Sequence, residues 1–137
     1  MTKDQRHEKM KELAQKASVQ KQRLLDEGGY SVIPHDIYRK VLPELRDKYD
    51  GQTARDCVLL YGYLHAYVNG QSGGDAYMWA YPNVDQIVED TGIHRNRVSK
   101  LSNILVAEEL IKTERIPWYG HTKKMYLPLF IRKDDAK

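Results

Sequence analysis

Six side chains between Arg95 and Asn103 could do chemistry on a polyanion. In the run TGIHRNRVSKLSN, residues 91–103, Arg95, Asn96, Arg97, Ser99, Lys100 and Asn103 offer guanidinium, amide, hydroxyl and ammonium groups. Arginine and lysine match O6 and N7 of guanine, asparagine matches N6 and N7 of adenine, and serine bonds either. A helical period sorts these residues. At about 100° per residue, Asn96, Lys100 and Asn103 lie nearly opposite the apolar Val98, Leu101 and Leu105. Ser99 and Arg97 sit on the two shoulders, and Arg95 falls in the first turn. No acidic residue occurs from Ile93 to Ala107. A merely solvated helix face usually mixes signs. The competing reading is a surface that is basic by chance.

A second group follows closely. PWYGHTKK, residues 117–124, sets Trp118, Tyr119, His121, Lys123 and Lys124 around a turn. Lysines there can reach the phosphates of a flanking groove, and aromatic rings can lie on sugars. Trp118 could equally pack within the hairpin or at a dimer interface, and His121 could be a plain loop histidine.

Charge is unevenly distributed. The formal net charge is +3. Residues 1–28 carry +2, residues 29–93 carry −4 and residues 94–137 carry +5. The basic excess therefore begins inside the stretch quoted above, as a phosphate-binding surface requires.

Elements must hold these groups. Residues 3–27 read as a charged helix with a narrow stripe, Met10, Leu13, Ala17 and Leu24, interrupted by Gln20. Such a stripe suits a coiled-coil-like seam or packing on the body. Gly28-Gly29 ends it. Tyr30–Ile33 is a short extended lead-in before Pro34. A short helix from His35 to about Leu42 is followed by a turn of helix through Tyr49, and Asp50-Gly51 reads as a turn. Thr53 is expected to cap a helix from Ala54 to about Asn69. On it, Tyr61, Tyr63 and Tyr67 read as core edge rather than as base-stacking rings. The glycine-rich loop Asn69–Asp75 lacks the Gly-Lys-Ser/Thr ending of a phosphate cradle, so no nucleotide site is expected. Tyr77–Tyr81 reads as a short strand. Asn83 caps a helix from Val84 to about Asp90, with Ile87 and Val88 buried. After the Thr91-Gly92 turn a helix runs from about His94 to Glu109. Leu110–Ile116 is a strand, Pro117–Thr122 a loop, Lys123–Ile131 the returning strand, and 132–137 a flexible tail.

The order from Ala54 is helix, short strand, helix, tight turn, helix, strand, loop, strand. The expected fold is mainly α with a small β-wing: a winged helix-turn-helix over 29–131 with an extra N-terminal helix over 1–28, a possible dimerisation arm. NVDQIVEDTGIHRNRVSKLSNILVAEELI followed by KTERIPWYGHTKKMYL resembles bacterial winged helix-turn-helix DNA-binding domains. YSVIPHDIYRKVLPEL and ARDCVLLYGYLHAYV are more loosely similar to the winged-helix domain of replication initiators from plasmids and phages of Gram-positive bacteria. The resemblance implies binding of double-stranded DNA, often as a homodimer, with a recognition helix (about 94–109) in the major groove and a wing (117–124) on the backbone. It carries recognition roles onto Arg95, Asn96, Arg97, Ser99, Lys100 and Asn103. The expected function is that of a small transcriptional regulator. The alternatives are a replication-initiation or partition protein binding repeated sites, and a winged helix used for protein contacts.

Other chemistry finds little footing. Ser31, His35 and Asp36 lack the flanking glycines of a nucleophile elbow. The histidines show no metal-ligand spacing with one another or with Cys57. No enzyme, cofactor, metal or small-molecule ligand is expected. The single Cys57 cannot form an internal disulfide and reads as a small buried residue. Apolar runs are too short to span a bilayer, and no signal-type h-region occurs, so a cytoplasmic protein, nucleoid-associated when on DNA, is expected.

Overall fold

The computed structural model describes residues 1–70 and 74–132. The expected tail at 133–137 and the middle of the glycine-rich loop, 71–73, lie outside the described residues. The chain forms two compact units, Met1–Ser31 and Val32–Lys137. The chain is mainly helical with a small antiparallel sheet of two strands near its C-terminus. No helix among the described residues is long and apolar enough to cross a membrane.

The first unit is one helix, α1 (Lys3–Glu27). Thr2 and Gln5 form a reciprocal capping box at its start, which satisfies donors that a helix end otherwise leaves open. Gly28, at φ +84°, closes its end through a bond to the Leu24 carbonyl. None of its residues is buried.

The second unit begins with a turn of π-helix, Ile37–Val41, that runs into α2 (Leu42–Lys48). Next comes α3 (Gly51–His65), whose start corrects the expected one. Asp50, not Thr53, is the cap: its carboxylate accepts from the Thr53 amide and from the Thr53 hydroxyl, both at 2.8 Å. Asp50-Gly51 is thus a helix entrance. α3 also stops four residues short of Asn69, because Asn69 turns away to exchange backbone bonds with Met78 and Trp79. The expected strand at Tyr77–Tyr81 reduces to isolated bridges. Met78 takes φ +71°, which breaks an extended run, and Ala80 alone bridges to Tyr126.

α4 (Val84–Thr91) and α5 (Arg95–Ala107) follow. Asn83 caps α4 by accepting from the Gln86 amide at 2.8 Å. Gly92 is left-handed at φ +74° and donates to the Val88 carbonyl, so glycine is what this corner needs. Thr91 finishes the corner: its hydroxyl donates to the Ile87 carbonyl and accepts from the Ile93 amide. His94 lies outside α5 as its cap, with Nδ1 accepting from the Asn96 amide.

β1 (Ile111–Trp118) and β2 (His121–Pro128) pair antiparallel from Ile111↔Pro128 to Trp118↔His121. The expected loop Pro117–Thr122 therefore shrinks to Tyr119-Gly120, and β2 ends at Pro128, before Ile131. Both turn residues have positive φ, +47° and +84°, the pairing that matches the natural twist of a hairpin. The core gathers around α3, with Leu60, Leu64, Ile87, Leu101, Leu105 and Ile111 inaccessible or nearly so. Cys57 lies inside it, and burial pushes its thiol up to about 12. Tyr61 is buried and donates to the Leu129 carbonyl, while Tyr63 and Tyr67 both donate to Asp90 on α4.

Candidate nucleic-acid interface

α5 is the organising element of the site. Val98, Leu101, Ser102, Ile104 and Leu105 are buried and seat it on the body. The opposite face presents Asn96, Ser99, Lys100 and Asn103, all exposed. The inward and outward sets fall where the period predicts, apart from the polar Ser102 on the inner side.

The three arginine and lysine side chains on α5 have different fates. Lys100 is exposed. Arg95 pairs with Asp85 in the first turn of α4, and both side chains remain largely in solvent. Arg97 turns back toward α3. Its Nη2 donates to Asp56 Oδ2 and to Thr53 Oγ1, each at 3.2 Å. Thr53 in turn donates to Asp50, so one chain of bonds runs from α5 to the cap of α3. The same bonds from Thr53, backbone first and then hydroxyl, hold the Asp50 carboxyl below its usual range. Arg97 is therefore a tie between helices rather than a shoulder group facing outward.

The hairpin repeats this division. Lys123 lies over the Tyr81 ring at 4.2 Å and the Trp118 ring at 4.4 Å, an ammonium held between two aromatic faces. Trp118 also meets Tyr119 edge-on at 5.2 Å. Trp118 thus contacts two residues of its own hairpin while remaining 41% exposed. Tyr119 stands at the tip, 88% exposed. His121 is exposed beside it. Lys124 points the other way: Nζ donates to the buried Ser102 hydroxyl at 3.0 Å, and that hydroxyl donates onward to the Ser99 carbonyl. Burial holds the Lys124 ammonium below its ordinary range, and the nearby Arg115 charge adds to this.

Arg115 and Ser102 were not singled out in the sequence. Arg115 faces Lys124 directly across the ladder. Like charges at that position are unfavourable unless an anion lies between them. Recognising Tyr119-Gly120 as the whole turn would have revealed the pairing, because it sets the register. Ser102 carries a local signal too, since a polar residue on the inward side of a helix needs a partner. Between the hairpin and the first turn of α4 lies a cleft of about 370 Å³, lined in part by Asn83, Arg115, His121, Lys123 and Lys124. Its cationic lining continues onto α5 through the Lys124–Ser102 bond. The arrangement can bond an extended anion along the cleft while α5 offers amide, hydroxyl and ammonium donors to whatever lies above it.

Comparison with protein-family models, with curated proteins and with solved structures gives no match to this chain.

Proposed function

We propose that this chain binds double-stranded DNA as a winged helix, with α5 in the major groove and the hairpin as the wing on the adjacent backbone. One observation carries the reading. The outer face of α5 is exposed, bears Asn96, Ser99, Lys100 and Asn103, and has no carboxylate along its length. Those side chains can bond base edges, and a helix is the element that fits the major groove. The Arg115–Lys124 pair supports it, because a phosphate bound at Arg115 would offset the repulsion between the two like charges. Arg95, Lys100 and Arg115 are the exposed cations available to phosphates; Arg97, Lys123 and Lys124 hold the frame.

Selection from a random duplex pool, followed by polarisation titration of the winning sequence, tests the reading. The selected duplex should bind more tightly than a scrambled one. Log affinity should fall with log salt at a slope of about −3, as expected for three phosphate contacts. Equal affinity for both duplexes would remove the recognition role of α5. The selected sequence also discriminates between processes: occurrence at promoters marks a regulator of transcription, and clustered repeats at an origin mark a replication or partition protein.

A further inference from the structure

α1, taken by itself, carries an apolar seam along one side. Met10, Leu13, Ala17, Gln20 and Leu24 recur at spacings of three and four, the a and d positions of a heptad. Met10, Leu13 and Leu24 are 65%, 55% and 46% exposed. The capping box and the Gly28 terminus delimit the helix at both ends, so the seam is presented at fixed length.

The residues beside the seam decide what can cover it. The e and g positions hold His7, Lys9, Ala14, Lys16, Lys21 and Arg23, without a carboxylate. Asp4, Glu8, Glu12 and Asp26 lie on outer positions; Arg6 and Glu27 occupy the d positions that bound the apolar stretch, and Glu27 pairs with Arg23 along the same helix. Flanking charges of this kind set partner choice in coiled coils. A second copy of α1 is a poor match. Paired in parallel, Lys16 of one copy would face Lys21 of the other. Paired antiparallel, the basic g row would face itself. Gln20 adds a polar position that asks for a polar group opposite. Duplex DNA is also a poor cover, because it would leave Met10, Leu13 and Leu24 facing phosphates and water.

We propose that the α1 seam docks an amphipathic helix of a different protein, one whose apolar stripe is flanked by aspartate and glutamate. This differs from the sequence expectation of a homodimer through this helix, and the two predict different partners in the test below. The proposal is independent of the DNA-binding reading.

The test uses the full-length chain and two synthetic peptides about four heptads long. Both have leucine at a and d with one glutamine; one has glutamate at e and g, the other lysine. The chain should bind the glutamate-flanked peptide at least about tenfold more tightly than the lysine-flanked one. Replacing Lys9, Lys16, Lys21 and Arg23 together by glutamate should reverse that preference. Leu13→Ser should weaken binding while leaving helix content by circular dichroism unchanged. Light scattering should give no self-association that Leu13→Ser abolishes. The proposal is overturned by self-association that requires Leu13, by equal binding of the two peptides, or by a charge reversal that weakens duplex binding and leaves peptide binding unchanged.

Discussion

Arg97 and Lys100 are three residues apart on one helix and read alike in the sequence. Their surroundings separate them. Arg97 is bonded to Asp56 and Thr53, with only about a quarter (27%) of its side chain in solvent, whereas Lys100 is exposed. Removing Arg97 leaves a half-buried carboxylate and a buried hydroxyl without their donor. Arg97→Ala should therefore lower folding stability by about 1–2 kcal/mol in a urea titration, with little change in duplex affinity of the folded protein. Lys100→Ala should do the reverse: unchanged urea midpoint, and duplex binding weaker by about 1–3 kcal/mol. If Arg97→Ala loses DNA affinity without losing stability, the tie to α3 is not its main role. The outward set on α5 was legible because period alone places it. The fate of Arg97 was not, because Asp56 lies 41 residues away and no spacing rule connects them.

Elements whose ends are set locally read well in sequence, except the start of α3, where Asp50 rather than Thr53 is the cap. Asn83 starts α4, Gly92 ends it, and the Thr91 hydroxyl closes the corner into α5, all through partners within four residues. Gly92 offers an element-scale test. A Cβ there would meet nothing within 4 Å, so only the left-handed backbone opposes it. Gly92→Ala should thus cost about 1–2 kcal/mol, seen as a lower urea midpoint at constant slope. A neutral result would mean that the corner relaxes to another backbone conformation. Elements whose ends depend on distant pairing read less well. α3 ends where Asn69 finds Met78 and Trp79, and Tyr77–Tyr81 is denied a strand by the backbone of Met78. The hairpin extends to its tip because the ladder closes at Trp118↔His121, which the residue types around Pro117 did not announce.

Across the second unit, stability should depend on pH through His65. Its side chain is buried between Tyr61, at 4.6 Å, and Phe130, at 4.9 Å. Burial holds the imidazole below its ordinary value of 6.5, and a bond with the Leu129 backbone opposes this only in part. The unfolded chain therefore takes up the proton more readily than the folded one. Stability from this group is full above 6.5 and is lost as pH falls toward the depressed folded value. Urea midpoints should decline from about pH 7 to pH 5, and His65→Gln should flatten the decline. Parallel profiles for the two proteins would exclude His65 as the source. Asp50 has the same sign but acts lower, below the ordinary carboxyl range. Legible in the chain alone were α1, α4 and α5, the Thr-Gly corner, the basic C-terminal third and the acid-free face of α5. Those follow from period, capping and composition, which act within a turn or two of chain. Tertiary structure decided which cations face outward: Arg97 was drawn to α3, Lys123 between two rings and Lys124 onto Ser102. It also set Arg115 opposite Lys124. Long flexible side chains choose among groups that only folding brings within reach, so their direction is a property of the assembled unit and not of the segment that carries them.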